Sequence, residues 1–205
     1  MGFLLLGLGA NLAGPWGSPR DTLRRARREL SRSGLFILAA SRVHETLPLG
    51  PGRQAPYLNA VLLLRAQEAP AALLRLIKGI ERRAGRRQGA RWGPRCLDID
   101  ILDYGSRRLG WPQRRRRLGQ LVLPHPEMHL RTFVLVPLLE VDPHWRHPVL
   151  GLAGRTLLAR LPRGSRRGIR QSLDFAASSC ENLRNEHSPR SAASEGDGAC
   201  TTPSS

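Results

Sequence analysis

Apolar and polar positions follow two rhythms along the chain. Residues 3–9 (FLLLGLG) form an unbroken apolar run, the pattern of a strand buried on both faces. Residues 21–33 place Leu23, Ala26 and Leu30 at helical spacing among arginines, with Ser18 as N-cap, Pro19 at the first helical position and Gly34 as the stop. Residues 35–45 read as a second strand and 57–66 (YLNAVLLLRA) as a third. Residues 70–84 predict an amphipathic helix, with Leu73, Leu74, Ile77 and Ile80 on one face. A fourth strand follows at 97–104, a short extended piece at 121–123 and a helix at 132–140. Strands and helices mix without strict alternation, which points to an α+β fold with helices packed on a mainly antiparallel sheet.

Between these elements lie two long loops. Residues 46–56 (TLPLGPGRQAP) hold three prolines and two glycines, and residues 85–94 are basic. Beyond about residue 161 the composition changes. Residues 178–205 are rich in Ser, Ala, Gly, Asn and Glu and nearly lack large apolar side chains, so they cannot offset their ordering entropy. The expected organisation is one folded unit over 1–161 and a basic, then Ser/Ala/Gly-rich, disordered tail over 162–205.

Composition adds charge. The chain of 205 residues carries a formal +17, and of 33 basic side chains only Lys78 is lysine. Such a balance fits anionic partners, and it equally fits a genome biased toward arginine. The three cysteines, Cys96, Cys180 and Cys200, are dispersed, so neither a disulfide framework nor a zinc site is expected, and free thiols fit a cytoplasmic protein. The N-terminal apolar run is too short for a signal peptide and lacks a basic start, and no segment reaches the ~18 apolar residues of a membrane span.

The chemistry concentrates in RWGPRCLDIDIL (residues 91–102). Alternation along a strand puts Asp98 and Asp100 on one side, about 6.6 Å apart, and Leu97, Ile99 and Ile101 on the other. Two carboxylates so placed can share divalent cations, and magnesium takes one or two carboxylates plus substrate phosphates. Arg91 and Arg95 suit phosphate oxygens, and Trp92 offers a flat surface to a heterocycle. Gly7 and Gly9 do not open a dinucleotide fingerprint, because Leu12 stands at its last glycine, and a P-loop is absent. Asn59, inside an apolar run, carries an amide that needs partners. A basic nucleic-acid module would account for the charge but not for two aspartates beside the most basic loop. Another Mg-dependent nucleotide transferase would share the metal pair alone.

Four segments, LGLGAN (6–11), TLPLGPGRQAPYLNAV (46–61), GRRQGARWGPRCLDIDIL (85–102) and LVLPHPEMHLRTFVLVPLLE (121–140), are similar in content, order and spacing to the 6-hydroxymethyl-7,8-dihydropterin pyrophosphokinase family. The resemblance covers about residues 3–150. It implies a ferredoxin-like fold and transfer of pyrophosphate from Mg-ATP to the hydroxymethyl group of a dihydropterin in folate synthesis. Two Mg2+ ions would be held by Asp98 and Asp100. Arg86 and Arg95 would be catalytic, and Glu81, Trp92, Arg95, Ile101, His125 and Arg131 would surround ATP. Tyr57 and Phe133 would sandwich the pterin, with Asn59 reading its polar edge beside Thr46 and Leu49. Taken alone, Tyr57 and Phe133 read equally as core aromatics, and His125 as a turn residue. Lys78, Gln88, Gln120 and Pro126 depart from the familiar pattern around the nucleotide. The resemblance further implies small-molecule substrates, no specific nucleic acid, no membrane and a monomer.

Overall fold

The computed structural model describes residues 2–48, 54–86, 94–111, 121–162, 169–173 and 175. Strands β1 (Gly2–Ala10), β2 (Phe36–Ala40), β3 (Val43–Thr46), β4 (Tyr57–Ala66), β5 (Asp98–Tyr104) and β6 (Ile169–Leu173) form one antiparallel sheet. Its order is β5-β1-β4-β3-β6, with β2 also pairing β4. Helices α1 (Pro19–Arg32), α2 (Pro70–Arg83), α3 (Thr132–Val141) and α4 (Gly154–Arg160) complete the fold. The α+β, ferredoxin-like class expected from the sequence is the one observed.

The sheet has two unlike faces. On one, Leu4, Leu6 and Leu8 of β1 and Ile99 and Ile101 of β5 meet Leu23, Ala26 and Leu30 of α1 and Leu73, Ile77 and Ile80 of α2. Each leucine fully buried there contributes roughly 1.5–3 kcal/mol. α1 begins as its sequence predicts: Ser18 Oγ accepts from the Asp21 amide at 3.3 Å, and Pro19 opens the helix. On the other face, Leu5, Val61 and Leu102 lie under Val134, Leu135 and Leu138 of α3 and Leu157 of α4. α3 and α4 cover only part of this second face.

The strands differ from the sequence reading in two places. The expected strand at 35–45 is divided at Ser41 and Arg42. The Ser41 hydroxyl takes the Val61 amide at 2.9 Å and donates to the Arg42 carbonyl at 2.7 Å, and the Arg42 amide is drawn to Glu140 at 2.8 Å. A side chain thus replaces a ladder bond and turns the chain. The sheet also continues past residue 161. β6 pairs with β3, and Phe175 is buried in the α1 layer, 5.7 Å beneath the Arg27 guanidinium. The packed unit therefore reaches at least Phe175; the remainder of 176–205 lies outside the described residues, as does the arginine run at 114–117.

Beneath α3 and α4, β5 carries an extra residue. Ile101 faces Leu6 and Asp103 faces Leu5, so Leu102 bulges and joins Asp103 on the second face. Asp103 Oδ2 accepts from Trp145 Nε1 at 2.9 Å. Burial pushes the Asp103 carboxyl above its usual range despite that indole and two backbone donors. His147, fully buried beside Trp145, accepts the Val149 and Leu150 amides on Nδ1 at 3.2 Å each.

Candidate active site

The uncovered end of the second face is built by register. Asp98 of β5, Gly9 of β1, Asn59 of β4 and His44 of β3 stand opposite one another across successive ladders. Directly opposed residues share a face, so these four form one row. The next row holds Asp100, Gly7 and Val61. Two strand spacings separate Asp98 from Asn59, about 10 Å. The glycines between them leave a trough: a Cβ on Gly9 would stand 3.2 Å from Asn59 Oδ1, and one on Gly7 3.3 Å from the Leu102 side chain.

At the acidic end, Asp98 is gripped by Arg86 and Arg95 through short ion pairs. Arg86 also binds Glu81 Oε1, which accepts the Ile99 amide at 2.8 Å and Lys78 Nζ at 3.0 Å. Burial alone would raise the Asp98 carboxyl, but Arg86, Arg95 and Lys78 outweigh it and hold it below the usual range. Glu81 moves the other way, raised because burial exceeds the help of Lys78 and Arg86. Asp100 is raised as well, by burial first and then by the Asp98 charge, against His125, Arg131 and Lys78. This is a site with carboxylate charge to give to a cation.

The arginine loop is fixed by a residue that sequence reasoning passed over. Asn11 Oδ1 accepts the Arg95 amide at 2.8 Å, its own amide donates to the Arg95 carbonyl at 3.0 Å, and Nδ2 donates to the Ala55 carbonyl at 3.2 Å. Asn11 thereby ties the loop before β5 to the loop before Tyr57. Its only signal was its place in LGLGAN.

At the other end of the trough, Asn59 Nδ2 donates to Thr46 Oγ1 at 2.7 Å, and both residues are buried. Tyr57, two residues before Asn59, projects to the same side; its hydroxyl is shifted up by burial and feels both Arg95 and Asp98. α3 crosses the face from the β5 side to the β3 side. At its start Arg131, which acts on Asp100, lies 5.7 Å from the centre of the Phe133 ring and binds Glu127. At its end Glu140 receives His44 Nε2 at 3.0 Å and Arg42 Nη2 at 2.9 Å. The His125 amide donates to the Leu102 carbonyl at 2.8 Å, which sets the ring beside Asp100.

Thus Arg86, Arg95, Asp98, Asp100, Glu81, His125 and Arg131 assemble at one end of the face, and Thr46, Tyr57 and Asn59 continue it. Ile101 lies on the same strand as Asp98 and Asp100, and alternation turns its side chain into the aliphatic layer opposite the trough, leaving only its main chain on the trough side. Leu49, Trp92, Gln88 and Gln120 lie outside the described residues. Among the described residues no cluster of three or more His, Cys, Asp or Glu encloses a metal. Asp98 and Asp100 offer two hard oxygen donors on one face, which fits magnesium completed by substrate phosphates. Among the described residues, no helix is long and apolar enough to cross a membrane.

Comparison with known proteins identifies the family and the fold. The family model described as 7,8-dihydro-6-hydroxymethylpterin-pyrophosphokinase (HPPK) matches residues 5–143. A 2-amino-4-hydroxy-6-hydroxymethyldihydropteridine pyrophosphokinase from Synechocystis sp. is 36% identical over 155 residues, covering 75% of this chain and 72% of the relative. The enzyme of that name from Mycobacterium bovis is 37% identical over 172 residues, 82% of this chain and 88% of the relative. A solved triple mutant of Plasmodium falciparum HPPK-DHPS with STZ-DHP has the same fold at a TM-score of 0.59 and 15% identity, over 82% of this chain. This chain spans less than half of that solved chain, 45%. A family model matched across most of the chain, and relatives alike over most of their own length, show that this chain belongs to the 7,8-dihydro-6-hydroxymethylpterin-pyrophosphokinase family.

Proposed function

We propose that the trough between Asp98 and Asn59 is where ATP and the pterin meet, with the nucleotide phosphates at the carboxylate end and the pterin ring at the amide end. The family's reaction moves the β,γ-pyrophosphoryl group of ATP to the hydroxymethyl group of 6-hydroxymethyl-7,8-dihydropterin, a step of folate synthesis, and ATP is the co-substrate. The observation that carries the placement is the single row of Asp98, Gly9 and Asn59.

The chemistry follows from charge and position. The substrate hydroxyl oxygen bonds to the β-phosphorus, the bond from that phosphorus to the α,β-bridging oxygen breaks, AMP leaves with the bridging oxygen, and the hydroxyl proton passes to solvent. Such a transfer needs alignment and neutralisation rather than a protein nucleophile. Asp98 and Asp100 would hold two magnesium ions, whose chemistry is to neutralise the phosphates and lower the pKa of a bound hydroxyl. Arg86 and Arg95 would exchange Asp98 for phosphate oxygens and stabilise charge on AMP and the transferred group. His125 and Arg131 would flank the nucleotide beside Asp100, and Glu81 would fix Arg86 before the exchange. The Asn59 amide would meet the polar edge of the pterin, with Thr46 orienting it, and Tyr57 and Phe133 would cover the ring faces. Trp92 and Leu49 would complete the nucleotide and pterin ends. We place the enzyme in the cytoplasm as a monomer.

The test is product identity. With Mg-ATP and 6-hydroxymethyl-7,8-dihydropterin the protein should form AMP and the pterin diphosphate in equal amounts. Formation of ADP, or nucleotide turnover that ignores the pterin, would overturn the proposal.

A further inference from the structure

Glu81 is 1% exposed and does several things at once. Its Oε1 accepts the Ile99 amide at 2.8 Å, which anchors the start of β5 next to Asp98. The same oxygen takes Arg86. Lys78, one helical turn earlier on α2, places its ammonium 3.0 Å from Oε1 and 2.8 Å from Oε2, the latter as a charge contact rather than a directed hydrogen bond. Lys78 is 45% exposed and is the chain's only lysine. The carboxylate thus has two cationic partners, and of these only Arg86 also bonds Asp98 directly, while Lys78 acts on Asp98 from a distance.

If Arg86 moves to the nucleotide as proposed above, Glu81 loses one of its two cations while remaining buried. A buried carboxylate stripped of its partner is strongly unfavourable, and the cost would fall on the step that binds ATP. We propose that Lys78 is a positioning residue for pyrophosphoryl transfer: it compensates Glu81, and so keeps the Ile99 amide and the neighbouring Asp98 in place, while Arg86 is engaged with phosphate. This rests on the reading of Arg86 given above. Lys78 acts here through Glu81, and the arrangement divides labour between the two cations. The arginine, with its planar fork, suits the departing phosphate-binding role, and the lysine serves as the charge that stays.

The test is a double-mutant cycle read by steady-state kinetics. Lys78→Met should lower kcat/KM for ATP roughly 10- to 100-fold while leaving the pterin KM within about 2-fold, and Lys78→Arg should restore most of the loss. In a Glu81→Gln background, which has no charge to compensate, Lys78→Met should cost almost nothing further. An undiminished cost in that background would mean that Lys78 acts other than through Glu81, on ATP or on Asp98 and Asp100, and would overturn the proposal, as would a Lys78→Met enzyme equal to the unaltered one. Should Glu81→Gln fail to fold, amine acetylation of the unaltered protein modifies only Lys78 and the chain's α-amine. The acetylated enzyme should reproduce the Lys78→Met deficit, and unchanged kinetics would refute the role. AMP formation by the unaltered protein, followed in the same assay, judges the underlying site separately: its absence sinks that reading, whereas normal AMP with no Lys78 effect sinks this one alone.

Discussion

Two ends of one sheet face treat buried acid in opposite ways. Under α3 and α4, Asp103 takes one indole hydrogen bond, stays among Trp145 and Leu102, and is raised by burial. A few residues earlier on the same strand, Asp98 takes two guanidinium groups and is held low. The first arrangement closes a core. The second stores partners that a phosphate can claim, because arginine binds carboxylate and phosphate with the same fork. The contrast between the two aspartates lies in their partners: one neutral indole donor at Asp103, two guanidinium groups at Asp98.

The comparison breaks most visibly at turnover. Asp98→Ala and Asp100→Ala should each reduce AMP formation by about 10³-fold or more with the circular dichroism spectrum retained. Asp103→Asn keeps an acceptor for Trp145, so it should leave turnover unchanged and shift unfolding by only about 1 kcal/mol. A turnover loss at Asp103 equal to that at Asp98 would erase the distinction. Next in size is Asn59→Ala, which should weaken pterin binding by roughly 10²-fold while ATP affinity, titrated calorimetrically, moves little. Equal loss of both ligands would separate Asn59 from the pterin end.

The closed end also responds to pH. Burial, and then His129 nearby, lowers His147 to about 4. The unfolded chain therefore binds this proton first: the stabilisation is present above the ordinary value of 6.5 and is lost as pH falls from there toward 4. Denaturant titrations across that range should show a decline on the order of 2 kcal/mol that His147→Asn removes. If the two proteins decline in parallel, His147 is not the group responsible.

Much of this was legible without coordinates, for physical reasons that differ by element. α1 and β4 were readable because cap, periodicity and strand pattern agreed in each. The shared side of Asp98 and Asp100 followed from alternation alone. The break at Ser41 was not legible, since it depends on a hydroxyl finding the Val61 amide twenty residues away. β6 (IRQSL) shows little apolar alternation and owes its state to the free edge of β3. α4 spans seven residues and lacks a side-chain N-cap, so little local signal marks it. Asn11 and Lys78 were visible as letters but not as roles, because each works by joining segments distant in sequence or by partnering a carboxylate whose burial only the fold decides.

The bulge at Leu102 has a consequence for how the strand can vary. It resets the phase of β5 between the half that carries Asp98 and Asp100 and the half packed under α3 and α4. If the strand paired without the bulge, with Leu102 opposite Leu5, Asp103 would swing into the aliphatic layer and Tyr104 out of it, stranding the hydroxyl that now donates to the Glu68 carbonyl at 2.8 Å, while Asp98 and Asp100 kept their register with Gly9 and Gly7. The spare residue therefore lets the reactive end and the structural end of a single strand answer to separate constraints.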